Sequence, residues 1–194
     1  MSADSLRLSL GGWLFRHRGW LPALPLAAVV LVARPTAASL AIGLALAGVA
    51  EVLRCWAARA IGPASRTRGE LPGALAEAGP YRFTRNPLYV ANILLYSGLA
   101  ISSGRWAALV LPLLAVPYYA LIVAWEERAL EQTHGPVYLA FKARTPRWLP
   151  RRVAPRGAVP LATWSRALRA ERGSLLAIAL IVMGLLARFA ASGL

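Results

Sequence analysis

Apolar residues run in five blocks along this chain, over 19–33, 37–52, 87–103, 106–125 and 174–187, separated by stretches rich in arginine, proline and glycine. The fourth block, of about 20 residues, has the length a helix needs to cross the hydrocarbon core of a bilayer. The others are shorter and gain reach from flanking side chains that snorkel to the interface, Arg54 and Arg59 after the second block and Arg188 after the fifth. Trp20, Trp56, Trp106 and Trp125 fall near block ends, where indole rings favour the membrane–water boundary. Pro112 and Pro117 predict a bend in the fourth helix. The pattern predicts an all-α, polytopic integral membrane protein with about five transmembrane helices. Its divisions are an amino-terminal helical hairpin over 1–61, a core over 62–150 and a basic connector with a last span over 151–194.

Composition agrees with a bilayer as solvent. Of 194 residues, 58% are hydrophobic and 15% charged, and the mean hydropathy is +0.53, more apolar than an ordinary soluble domain. The net charge of +14 admits nucleic acid as a partner. The distribution of that charge argues against it. Three basic residues precede the first block, six follow the second and ten follow the fourth, whereas the other connections and the carboxyl end carry Arg34, Arg105 and Arg188, one each. Basic residues alternating with spans are the mark of the positive-inside rule. They predict an inner-membrane protein with its amino terminus and polar site in the cytoplasm, its carboxyl terminus outside and anionic lipid at its basic loops. Arg16-His17-Arg18 before an apolar run also resembles a signal peptide, with Ala37-Ala38-Ser39 as small residues for cleavage. The next apolar run follows almost at once, which suits a helical hairpin better. One cysteine, Cys55, and two histidines, His17 and His134, leave no ligand set at metal spacing, and no metal is expected.

Two polar elements interrupt this pattern. The stretch 62–79 is rich in turn formers, carries Glu70 and Glu77, and leads into Tyr81-Arg82-Phe83-Thr84-Arg85-Asn86-Pro87-Leu88-Tyr89. Pro87 suits the first turn of the third apolar helix, with Asn86 as its N-cap satisfying an orphan backbone N–H. The positive helix end beside Arg85 would attract an anion, or would simply be a capped helix anchored in headgroups. The second element is Glu126-Glu127 at the end of the fourth block. Adjacent carboxylates leaving a hydrophobic helix repel one another and lose hydration unless a cation compensates. That cation is either Arg128 and its neighbours or a positively charged ligand. A short amphipathic element follows through Leu130, Gly135, Tyr138 and Phe141, and Arg144 with Pro146-Arg147-Trp148-Leu149-Pro150 closes it. The basic stretch 151–170 reads as a connector along the interface.

Taken in order, Gly-x-Tyr-Arg-x-x-Arg-Asn-Pro-x-Tyr, a helical hairpin, Glu-Glu-x-x-Leu, Gly-x-x-Tyr and a closing Pro-Arg-x-x-Pro, these elements resemble the isoprenylcysteine carboxyl methyltransferase family. They also resemble the wider group of integral-membrane phospholipid methyltransferases. The resemblance covers about residues 75–150; the first two helices and the last match only in being helices.

The resemblance implies an enzyme that uses S-adenosylmethionine, held in a cytosol-facing pocket formed by the third and fourth helices and the segment after them. On that pattern Leu75 and Ala76 contact the cofactor through their backbone, and Tyr81 lines the pocket. Asn86, Pro87, Leu88 and Tyr89 wrap the cofactor, Glu127 grips it and Glu126 is its partner. Arg85, Asn86, Glu126 and Glu127 are then the candidate catalytic residues, and Tyr138 and Arg144 the candidate acceptor-binding ones. Transfer of a methyl group from a sulfonium needs alignment and exclusion of water more than acid–base groups, which suits a chain so poor in histidine. The eukaryotic members commonly read Arg-His-Pro where this chain has Arg-Asn-Pro. Prenylcysteine-specific members carry an arginine one turn before the glutamate pair, where this chain has Ile122-Val123-Ala124-Trp125. The expected acceptor is a membrane-embedded lipid or isoprenoid-like small molecule, with isoprenylcysteine-type carboxyl methylation one form of it. The rival readings are an NADPH-dependent membrane reductase of the sterol reductase type and a non-catalytic carrier or scaffold.

Overall fold

The computed structural model describes residues 3–61, 75–151 and 161–192, and among them every regular element is helical. Seven α-helices follow one another: α1 (Ala3–His17), α2 (Ala23–Val32), α3 (Ala37–Ile61), α4 (Pro87–Ser102), α5 (Val110–His134), α6 (Pro136–Arg144) and α7 (Trp164–Ser192). Short 3-10 turns over Gly79–Arg82 and Trp106–Leu109 lead into α4 and α5. Much of the turn-rich stretch expected over 62–79, including Glu70, and residues 152–160 of the basic connector lie outside the described residues.

Three helical segments are long and apolar enough to cross a membrane: Ala37–Ile61, Trp106–His134 and Trp164–Ser192. The first apolar block contracts to the 10 residues of α2, about 15 Å at 1.5 Å per residue and half of a hydrocarbon core. The third block forms α4, of 16 residues. Helix length thus supports three crossings, with α2 and α4 as shorter apolar helices. The connector expected over 151–170 is helical from Trp164 onward, because Ser165, Arg166 and Ala167 open the first turn of α7, with Thr163 bonding the Arg166 N–H. α5 runs unbroken through Pro117.

The amino-terminal tail, read from sequence only as a basic segment, is a helix packed on α5. Gly11 permits the approach: a Cβ there would meet the Leu121 carbonyl oxygen at 2.4 Å and the Trp125 Cβ at 3.0 Å. Phe15 then packs against Trp125 with the rings tilted 39° and 4.6 Å between centroids. Trp125 is therefore a packing residue and not only an interfacial one.

α3 and α4 form the closest pair in the bundle, and small residues make it so. A Cβ on Gly43 would lie 2.4 Å from the Gly98 carbonyl oxygen, and one on Gly98 would lie 2.7 Å from the Ala47 nitrogen. Ala47, Ala50, Ala91 and Leu99 are buried in the core. Helices in lipid gain little from apolar burial against one another and depend on such backbone proximity. At one end of the bundle the Arg34 N–H donates to the Ser103 carbonyl at 2.8 Å, and Arg188 on α7 donates to the Ala33 carbonyl at 3.1 Å. The antiparallel run of α3 and α4 carries Arg54 and the start of α4 to the other end, where the polar residues gather.

Gly98→Val places two methyl groups against the backbone of α3. It should cost about 1–3 kcal/mol of folded-state stability and lower the unfolding temperature in detergent, whereas Gly48→Ala, with open space around its Cβ position, should not.

Candidate functional site

Glu127 is buried at the end of the apolar part of α5 and has a guanidinium on each side. Arg85 donates from Nε at 3.1 Å and from Nη2 at 2.9 Å to Glu127 Oε1. Arg147 donates from Nε to the same oxygen at 3.1 Å and from Nη2 to Oε2. The clasp continues through the backbone. Arg85 Nη1 reaches the carbonyls of Lys142 at 2.9 Å and Thr145 at 2.5 Å, and the Arg85 N–H donates to the Pro146 carbonyl at 2.9 Å. The Thr84 hydroxyl and the Asn86 amide both donate to the Arg147 carbonyl at 3.0 Å, and the Arg151 N–H donates to the Phe83 carbonyl at 3.0 Å. The Arg-Asn-Pro turn and residues 145–151 are thereby tied to α5 as one unit.

This changes the role expected of two residues. Asn86 occupies the cap position of α4, and its own carbonyl accepts the Tyr89 and Val90 N–H groups at 3.1 Å. Its side chain makes no cap bond and is oriented instead to donate its Nδ2 to the Arg147 carbonyl. Glu127 carries a structural burden that sequence did not reveal, since both of its oxygens are already committed. The Arg147 guanidinium has its pKa raised by the hydrogen bond to Glu127. Burial pushes the Tyr138 phenol up, and the Glu127 carboxylate adds to it.

Glu126 points elsewhere. The half-buried carboxylate interacts with Tyr89 on α4 and with Arg18 at the end of α1. Tyr81, in the 3-10 turn before the Arg-Asn-Pro bend, is buried, and burial pushes its phenol up, with the carboxylates of Glu126 and Glu171 adding. Tyr89 stacks on Tyr119 at 4.8 Å, and the Tyr119 and Tyr96 hydroxyls share a buried 2.9 Å hydrogen bond.

A cleft opens beside this aromatic row. It is lined by Leu88 and Tyr89 on α4, with Arg16, Arg18, Arg54, Asn92 and Glu171 as its polar walls. Within it Arg54 donates to Asn92 and, at 2.6 Å, to Glu171. Glu51 lies 3.0 Å from Arg54 Nε, off the hydrogen-bonding direction.

The residues expected from sequence thus fall into three groups. Arg85, Asn86 and Glu127 come together in the clasp, with Pro87 buried behind them. Leu88 and Tyr89 line the cleft, and Glu126 and Tyr81 lie by Tyr89. Arg144 pairs with Glu77 and lies over Phe141, 5.4 Å from its ring centre, while Tyr138 is buried under α6, so neither reaches the cleft walls. Leu75 and Ala76 are half-buried at the start of their described stretch. Sequence reasoning missed Arg54, Asn92, Tyr119, Glu171 and Arg18. Arg54, Asn92 and Glu171 did carry a signal, each being a polar side chain inside or beside an apolar run.

Comparison with known proteins gives this geometry a family. Residues 38–136 match the model of the family described as phospholipid methyltransferase. The chain belongs to the phospholipid methyltransferase family. The match begins near the start of α3, so α3 belongs to the common part of this family, although the resemblance read from motifs began only at about residue 75. A cobalt-zinc-cadmium resistance protein, CzcN, of Cupriavidus metallidurans is 32% identical over 127 residues, 65% of this chain and 54% of that protein. The chain thus spans about half the length of that relative. No solved structure matches the chain.

Glu127→Gln leaves the buried Arg85 guanidinium, and the partly exposed one of Arg147, without their countercharge. Breaking such a pair costs on the order of 3–5 kcal/mol, so thermal unfolding in detergent should move well below the wild-type midpoint. An unchanged midpoint would show that the clasp does not hold the turn.

Proposed function

We propose that this protein transfers a methyl group from S-adenosylmethionine to a lipophilic acceptor embedded in the membrane. The observation that carries the reading is the separation of the two adjacent carboxylates. Glu127 is neutralised by Arg85 and Arg147 and fixes the turn, whereas Glu126 lies by the phenols of Tyr81 and Tyr89 with Arg18 as its nearby cation. A carboxylate set beside tyrosine hydroxyls suits a ligand with a positive centre, through charge attraction.

S-adenosylmethionine, when bound, supplies an electrophilic methyl carbon whose bond to sulfur breaks with the electron pair left on sulfur, while an acceptor lone pair forms the new bond. Glu126, Tyr81 and Tyr89 would hold the cationic end, and Leu88 with the neighbouring backbone would shape the wall. The protein contributes position and dryness: rigid helices set the approach and apolar walls exclude water. Arg85 and Asn86 act at one remove, by holding the bend from which Leu88 and Tyr89 project. The active site faces the cytoplasm on this reading, five segments enter the membrane, and residues 62–150 hold most of the catalytic groups. The metal resistance named for CzcN is that protein's. Among the described residues no group of three His, Cys, Asp or Glu side chains could hold an ion.

Titration of the detergent-purified protein with S-adenosylmethionine, S-adenosylhomocysteine and NADPH tests the reading. The first two should bind, and Glu126→Gln should weaken both at least tenfold with little change in unfolding temperature. Binding of NADPH alone would assign the fold to a reductase, and binding of none of the three would leave a carrier or scaffold.

A further inference from the structure

Every carboxylate near the cleft has a cation, but they are not held alike. Glu127 is clasped by Arg85 and Arg147, and Glu51 and Glu171 share Arg54, at 3.0 and 2.6 Å. Glu126 accepts a hydrogen bond from the Tyr89 hydroxyl, has the like charge of Glu127 beside it, and takes Arg18 as its cation. Arg18 directly follows α1 and lines the cleft together with Tyr89, and Arg16 stands at the same cleft as an exposed side chain. The cation that answers Glu126 therefore comes from the amino-terminal part of the chain, ahead of the stretch 38–136 shared with the family.

Arg18 also has a second place to rest. Its guanidinium lies over the Phe15 ring, 3.5 Å from the centroid, and its Nη1 donates to the Phe15 carbonyl at 3.3 Å. Phe15 in turn packs against Trp125, the residue before Glu126, where Gly11 and Gly12 let α1 approach α5 closely. A guanidinium on an aromatic face keeps part of its stabilisation when a carboxylate leaves it. One end of α1 thus presents a cation to Glu126 and holds that cation if Glu126 is engaged by something else.

We propose that Arg18 is the resident countercharge of Glu126 in the empty site, and that a cationic ligand binds by taking its place. The inference rests on the methyltransferase reading above, in which Glu126 receives the positive centre of the donor. A half-buried carboxylate left without a cation is unfavourable, and Arg18 removes that penalty while the site is empty. The same contact weakens ligand binding in proportion to the share of molecules in which Glu126 is open. A pair formed in about nine of ten molecules lowers the apparent affinity about tenfold. Arg18 is a positioning residue that sets specificity: a ligand without a positive centre gains nothing from displacing it.

The test uses the full-length protein in neutral detergent, with calorimetric titration of S-adenosylmethionine, S-adenosylhomocysteine and methylthioadenosine. The first two carry an ammonium group, and the third is an uncharged nucleoside thioether. Arg18→Gln should tighten the first two at least fivefold and leave methylthioadenosine within twofold of wild type. Arg18→Lys keeps the charge and should stay close to wild type for all three. In a Glu126→Gln background there is no pair to break, so adding Arg18→Gln should change S-adenosylmethionine affinity less than twofold. Should Arg18→Gln fail to fold, Arg18→Met supplies the same readout, with an uncharged, unbranched stem left on the Phe15 ring.

Unchanged affinity for both charged ligands in Arg18→Gln overturns the proposal and leaves the methyltransferase reading standing. Equal tightening with and without Glu126 would reveal plain repulsion between Arg18 and the ligand, and overturns the exchange. Tightening of all three ligands alike would mean a widened cleft, and overturns it as well. Binding of the charged ligands by Arg18→Gln but not by the wild type would support it in its strongest form. If neither the wild type nor the variant binds any of them, the methyltransferase reading and the exchange fail together.

Discussion

A carboxylate at the foot of an apolar helix can be stable only if cations reach it, and Glu127 draws one from each of two segments distant in sequence. Arg85 comes from the bend before α4 and Arg147 from the stretch after α6. Neither segment has regular structure of its own to hold it in place. The ion pairs and the carbonyl contacts around them supply what a hydrophobic core would supply in a soluble protein. Because the bend is fixed there, α4 begins at a defined place and orientation, and Leu88 and Tyr89 are carried to the cleft. Loosening this carboxylate therefore displaces side chains that it never touches.

The helical character and the membrane setting were legible in the apolar blocks, and the bend with the glutamate pair was legible as a place where polar chemistry meets lipid. The division of labour within the pair was not. Two adjacent residues on a helix point about 100° apart, so one faces the clasp and the other faces Tyr89. Which does which depends on the rotation of α5, and that is set by the packing of α1 through Gly11 and Phe15 against Trp125. Sequence treated that tail as a carrier of charge only. The side chain of Asn86 was misread for a related reason. A local cap is the default for Asn before a helix, but here the side chain is turned to donate its Nδ2 to the carbonyl of residue 147, and its oxygen accepts no helix N–H.

The cleft shows a second limit of reading along the chain. Arg54, Asn92 and Glu171 lie on three helices, and each taken singly is explained as a snorkelling residue, a polar side chain in a helix, or part of a basic connector. Their meaning comes from convergence. An apolar helix tolerates an isolated amide or charge only when something in the bundle answers it. Such residues in a membrane chain are best treated as halves of contacts whose other halves are unknown. Here Glu171, which by sequence lay between the connector over 151–170 and the last apolar block, closes the wall because α7 begins ten residues earlier than the apolar pattern implied.

The arrangement also explains how one small site could serve ligands from two solvents. The bend over 84–89 has two sides. Its polar side is locked to residues 145–151, while Leu88 and Tyr89 look toward the helices. A soluble, cationic donor needs a carboxylate reachable from water, and Glu126 stands at the end of the apolar part of α5. A lipophilic acceptor needs a wall shared with the bilayer, and α7 is the least enclosed of the long helices, with 6% of its apolar window buried inside the bundle. The two requirements meet at Tyr89, whose ring packs on Tyr119 toward the apolar interior while its hydroxyl faces Glu126. A residue with one apolar body and one polar tip at the boundary of the two compartments is the type that can touch both partners at once. The position of Tyr89 follows directly from the fixed start of α4, so on the proposed function the ion pairs on Glu127 would govern the meeting point of two ligands that neither arginine needs to contact.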